Sequence, residues 1–231
     1  MTRIIIFGFP HCGTSILKSI IGHVDDVEEH IKETSTIPPV NGNSNKKFAV
    51  CKFPFTRNCF FSKDYKDYIK IFIIRNPLYV YSSLNKRMNY KIQSNHSIDA
   101  YIQTMKMFIN CEKEKMENVY TIRYEDMFDN NYEKLREIFD SIGFEYDDSI
   151  FDNSKYENKI VTGVKLPNTK PKNTDHGLYR TWQINQPFVF NNIPSKLDLT
   201  EKQKTELLKS EIISTIYPNL QQDLQYLCST S

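Results

Sequence analysis

Residues 69–74, IKIFII, form a nearly unbroken apolar run. A strand with one wet face alternates apolar and polar side chains. A run without that alternation suits a strand covered on both faces, as in a parallel sheet. Three more short runs rich in β-branched and aromatic residues, at 3–7, 48–51 and 119–122, read as its neighbours. Longer stretches between and after them read as helices over 13–22, 78–87, 97–116 and 132–142. In the third, Ile98, Tyr101, Ile102, Met105, Phe108 and Ile109 recur every three or four residues, which is one helix face. Asn130 with Glu133, and Thr200 with Gln203, are spaced as capping boxes. Such alternation predicts an α/β fold, a parallel sheet flanked by helices. Residues 24–47 and 147–194 fit no periodic element. Loops this long are lids, binding loops or disorder.

Composition narrows the function. The chain has 231 residues, of which 39% are hydrophobic and 25% charged. A chain of this length buries roughly 70–75% of its unfolded surface, enough for a core without disulfide or metal. One domain over 1–231 is expected, with 1–145 as a ligand-binding core and 146–231 as an irregular loop plus C-terminal helices. Thirty Lys+Arg against 28 Asp+Glu leave a net charge of +2. That balance argues against bulk electrostatic binding to nucleic acid or membrane. The five cysteines (Cys12, Cys51, Cys59, Cys111, Cys228) form no CxxC pair and no zinc-ligand spacing. Unpaired thiols fit a reducing compartment. The short run Ile4-Ile5-Ile6-Phe7 is not a signal peptide, and no stretch of about 18 apolar residues would span a membrane. A cytoplasmic protein without a metal is expected.

The first run leads into Gly8-Phe9-Pro10-His11-Cys12-Gly13-Thr14-Ser15. This is the spacing of a phosphate loop, Gly-x4-Gly followed by hydroxyl residues. A turn feeding a helix offers unpaired backbone N–H groups and the positive end of the helix dipole to an anion. Thr14 stands where nucleotide triphosphatases have Lys, so a triphosphate–magnesium site is not expected. The bland alternative is a plain strand–turn–helix corner. His11-Cys12 also evokes cysteine phosphatases, but Lys18 replaces their phosphate-cradling Arg. Cys12 therefore reads as a small lining residue, not a nucleophile.

A second anion site follows the run at 69–74. Arg75 sits at the carboxyl end of that strand, where open α/β sheets bind ligands. Pro77 starts the next helix at its first position, and Ser83 lies about two turns in. An arginine fork and a hydroxyl placed this way can converge on one phosphate. Alone, a strand-end arginine is more often a cap or an ion-pair partner.

Together the two motifs resemble the sulfotransferase family, which transfers a sulfuryl group from 3′-phosphoadenosine 5′-phosphosulfate (PAPS) and releases PAP. The family's Gly-x-Pro-(Arg/Lys)-Ser-Gly-Thr-(Thr/Ser) is here GFPHCGTS. Its Arg-(Asp/Asn)-Pro, with Ser eight residues after the Arg, is here RNPLYVYSS. A third stretch, Tyr124-Glu125-Asp126 followed by a helix and Ile142-Gly143, is similar to the family's Tyr-Glu-Asp and Leu-Gly. The resemblance covers residues 3–145 and implies a P-loop-NTPase-like sulfotransferase fold.

It further implies that residues 10–17, with Pro10, His11, Cys12, Gly13, Thr14 and Ser15, hold the 5′-phosphosulfate. Arg75 and Ser83 would hold the 3′-phosphate. Tyr124 would lie against the adenine; its alternative is a core tyrosine. Lys165, Lys170, Lys172 and Arg180 are candidates for the basic loop that closes over the cofactor. His11 departs from the family's Arg or Lys. An ordinary imidazole is partly charged at neutral pH, and a nearby phosphate dianion raises its pKa. His11 is thus expected to act as a cation, or as an acid towards the leaving group.

Lys52-Phe53-Pro54 resembles the Lys-x-Pro of the carbohydrate-directed branch, which takes a base from a Glu-x-His segment after the first helix. Glu28-Glu29-His30 stands there. Glu28 is the expected base, Glu29 its rival, His30 its neighbour, and Lys52 faces the sulfuryl group. A solvated charged loop is the alternative. The leading expectation is a PAPS-dependent sulfotransferase acting on a hydroxyl, perhaps of a sugar. A PAP-binding protein of the same fold without transfer activity is the second reading, and a P-loop kinase the third.

Overall fold

The computed structural model describes residues 1–30, 44–53, 65–88, 91–152 and 197–229, the side chains of Phe53, Cys228 and Ser229 excepted. Five strands run β1 Thr2–Gly8, β2 Val27–Glu29, β3 Phe48–Phe53, β4 Ile69–Ile74 and β5 Val119–Arg123. They form one parallel sheet in the order β2-β3-β1-β4-β5. The helices are α1 Thr14–Ile21, α2 Pro77–Met88, α3 Ile98–Glu114, α4 Glu133–Ile142, α5 Glu201–Leu208, α6 Glu211–Ile216 and α7 Leu220–Ser229.

The central strands are apolar throughout because their two faces feed two cores. Ile4, Ile6, Ile71 and Ile73 pack with Leu17 and Ile20 of α1 and Leu135 and Phe139 of α4. Ile5, Phe7, Phe72 and Ile74 pack with Leu84 of α2, Tyr101, Met105 and Phe108 of α3, and Leu207, Ile213 and Leu224 of the C-terminal helices. A parallel sheet covered on both sides requires this pattern. Lys70 interrupts it at 5% exposure, and burial pushes its pKa down.

Two local expectations fail. Residues 27–29 were expected in a loop and instead form the edge strand β2, paired with β3 from Val27 opposite Phe48. Three residues are too short to show a period. Asn130 does not cap α4. Asn130, Asn131 and Tyr132 all adopt left-handed φ, the N-cap residue is Tyr132, and Asn130 Nδ2 donates to the Glu133 side chain instead. Thr200 and Gln203 do form a complete capping box on α5. The Pro, Gly and Trp markers of residues 153–194, and Cys59, lie outside the described residues. Among those described, no helix is long and apolar enough to cross a membrane.

Candidate functional site

β1 is central, and its flanking neighbours β3 and β4 come later in the chain. The chain therefore leaves β1 toward one side of the sheet and later resumes on the other. A crevice opens at such a switch point, beyond the carboxyl ends of the strands. The phosphate-loop turn, Lys52 and Arg75 all lie at this edge.

The turn is held by packing. Gly8 leaves no room for a side chain, since a Cβ there would sit 2.5 Å from the Ile73 carbonyl oxygen. Phe9 is buried edge-on against Tyr101, centroids 5.1 Å apart. The Cys12 amide closes the turn on the Phe9 carbonyl at 3.2 Å. Gly13 has φ 91° and carries no side-chain cap; its Cβ would fall 2.3 Å from the Tyr124 ring. Only glycine meets both demands. The first bond of α1 runs from the Leu17 amide to the Gly13 carbonyl. The amides of Gly13, Thr14, Ser15 and Ile16 thus precede the helical ladder, which is the donor set an anion needs.

His11, at φ 67°, places Nδ1 2.7 Å from Ser83 Oγ of α2. Arg75 Nη1 donates to the His11 carbonyl at 3.3 Å. The two expected anion motifs therefore converge. Arg75 is 8% exposed, lies 4.3 Å over the Tyr124 ring, makes no ion pair among the described residues, and has a buried Nε without a hydrogen-bond partner. A buried guanidinium without a carboxylate partner is costly unless an anion completes it.

Tyr124 is 3% exposed, its ring enclosed by Gly13, Arg75 and Phe128. At this burial its ring supports the loop and the arginine. Cys12 is fully buried, and burial pushes its thiol far above the usual range against the opposing pull of the Arg75 charge. Its side chain lines the core; only its backbone belongs to the turn. Pro10 is buried beside it.

Lys52, 6% exposed, donates to Ser15 Oγ at 2.6 Å and so joins β3 to the loop. Glu29 is not available beside it. Lys18 of α1, 2% exposed, pairs with Glu29 at 3.2 Å and donates to the His30 carbonyl at 2.8 Å. The Glu29 side chain also fills the space where a Cβ on Gly22 would stand. Strand alternation then turns Glu28 to the opposite face from Glu29 and Val27, and from Lys52, which reaches α1. Glu28 Oε2 is buried without a hydrogen-bond partner among the described residues. The structure thus joins His11, Ser83 and Arg75, joins Lys52 to Ser15, and leaves Glu28 apart from Lys52. Lys165, Lys170, Lys172 and Arg180 lie outside the described residues.

Sequence reasoning missed Lys18, noted only as the residue in place of a phosphatase arginine. Its partner sits on the unforeseen strand β2. It also missed the ties from the Arg75 turn to the C-terminus: Asn76 Nδ2 bonds Asp223 at 3.2 Å, and Asn85 bonds the Asp198 carbonyl and Gln203.

Mouse sulfotransferase SULT7A1, in a crystal structure of its complex with PAP, matches with a TM-score of 0.56 over 96% of this chain and 88% of that chain, at 17% identity. The fold is that of a sulfotransferase. No protein-family model matches the sequence, and neither does any curated protein. Among the described residues no group of three or more His, Cys, Asp or Glu could hold a metal.

Proposed function

We propose that the protein transfers a sulfuryl group from PAPS to an acceptor hydroxyl. The observation that supports this most is Arg75, buried and without an ion pair among the described residues, touching the phosphate-loop backbone at the strand ends of a sulfotransferase fold. The residues fit two phosphate groups. Arg75 and Ser83 hold the 3′-phosphate. The free amides of α1, with Ser15 and Lys52, hold the 5′-phosphosulfate. His11 reaches both sites and supplies positive charge, or a proton, as the sulfur–oxygen bond to the 5′-phosphate breaks. Glu28 accepts the proton of the acceptor hydroxyl while the acceptor's oxygen bonds sulfur; a buried carboxylate oxygen without a donor among the described residues suits a base. The acceptor is a hydroxyl compound, a sugar by the Lys-x-Pro resemblance, and the protein works in the cytoplasm. A protein that binds PAP without transferring is the second reading, favoured by His11 in place of a lysine and by Glu28 and Lys52 on opposite faces of the sheet. Radiolabelled PAPS incubated with a panel of glycans and phenols separates the two: label on an acceptor supports transfer, and PAP binding with no labelled acceptor supports the second reading.

A further inference from the structure

Glu125 follows Tyr124 just beyond β5, and sulfuryl transfer as described makes no use of it. Its Oε1 accepts the Asn76 amide at 2.8 Å, one residue from Arg75, and its Oε2 lies 3.5 Å from Tyr217 Oη. We propose that Glu125 sets the anion affinity of the Arg75 site by taking up a proton from solvent as a dianionic phosphate binds there. The inference rests on Arg75 as the 3′-phosphate site.

In the free protein, burial pushes the Glu125 carboxyl up, while the Asn76 amide and the Arg75 and Arg123 charges hold it down. A phosphate on Arg75 cancels one of those charges and adds negative charge of its own. Both changes favour the protonated acid. The acid keeps its place, because one oxygen still accepts from Asn76 and the O–H can be turned to Tyr217 Oη.

The other groups around it respond less. Cys12 of the loop, Tyr79 of α2, Tyr101 of α3 and Tyr217 are all pushed upward, chiefly by burial, and are neutral at pH 7. Arginine side chains keep their charge throughout this pH range. Asp126 is held by two 2.7 Å bonds from Arg123, and Asp223 accepts from Asn76 Nδ2. The sign follows directly. The bound-state pKa of Glu125 lies above its free-state pKa, so the complex holds more protons. PAP affinity is highest below the free-state pKa, falls about tenfold per pH unit between the two values, and is flat above them.

The test is calorimetric titration of PAP into the full chain, wild type and Glu125→Gln, from about pH 5.5 to about pH 8.5, in paired buffers of different ionisation enthalpy. Glutamine keeps the acceptor for Asn76. PAP's own phosphates titrate near pH 6 with either protein, so the difference between proteins is the readout. AMP, which lacks the 3′-phosphate, is the control. Wild type should take up as much as one proton more than Glu125→Gln with PAP and none more with AMP. The variant should bind PAP about tenfold tighter or more at the alkaline end. Equal uptake by both proteins overturns the inference alone. PAP that binds neither protein overturns the Arg75 reading and this inference with it. If Glu125→Gln does not fold, the carboxyl-carbon resonance of Glu125 in the wild-type chain decides: its titration midpoint must rise with PAP, and an unmoved midpoint overturns the inference.

Discussion

At the scale of single residues, Arg75 is the best test of the anion site. Arg75→Ala removes a charge-assisted fork and should cost about 2–4 kcal/mol in PAP binding, measured calorimetrically, while adenosine 5′-phosphosulfate, lacking the 3′-phosphate, should bind as before. Equal losses would make Arg75 structural. Glu28→Gln should lower turnover on a confirmed acceptor by about 10²–10⁴ with PAP affinity nearly unchanged. Full activity in that variant would remove Glu28 as the base. Cys12 should resist alkylation in the native protein at pH 8, read by mass spectrometry, because its buried thiol stays protonated; rapid labelling would place it in an open site. That Arg75 and Ser83 both come up against His11 of the loop was legible in the sequence, because their eight-residue spacing maps onto a strand end and two helix turns. The inward turn of Cys12 and Tyr124 was not, since burial depends on φ at His11 and Gly13, and on neighbours far along the chain.

Among the secondary-structure elements, the short edge strand β2 carries the proposed base Glu28. Lys18 anchors it to α1 through Glu29 and the His30 carbonyl. Lys18→Met strands a buried carboxylate and should destabilise the fold by about 3–5 kcal/mol in urea, with Lys18→Met/Glu29→Leu recovering most of it. A loss under about 1 kcal/mol in the single variant would mean the pair is solvated. The α5 capping box makes a second contrast. Thr200→Ala should cost about 1 kcal/mol through its lost cap, whereas the loss in Asn130→Ala, at a position that caps nothing, should come from its left-handed φ, so Asn130→Gly should fold as stably as the wild type. Both boxes looked alike as sequence. They differ because residues 130–132 adopt left-handed φ and point the chain away from a cap, whereas Gln203 is also held by Asn85 of α2. Period reveals long elements. A three-residue strand and a backbone reversal leave no period to find.

For the whole molecule, the continuous apolar strands foretold a parallel sheet between two helical layers, and the sheet order puts both anion motifs at one switch point. Spacing along the chain could not say that Lys52 and Glu28 fall on opposite faces. That depends on register with β3, set by the pairing of Val27 with Phe48. The central claim is that this edge is built for the two phosphates of PAP and not for a triphosphate with magnesium. Calorimetric titration of the intact chain with PAP, and with ATP in the presence and absence of magnesium, tests it most directly. PAP should bind without any metal, with ATP weaker and indifferent to magnesium. Tighter binding of ATP that depends on magnesium, with PAP silent, would contradict it.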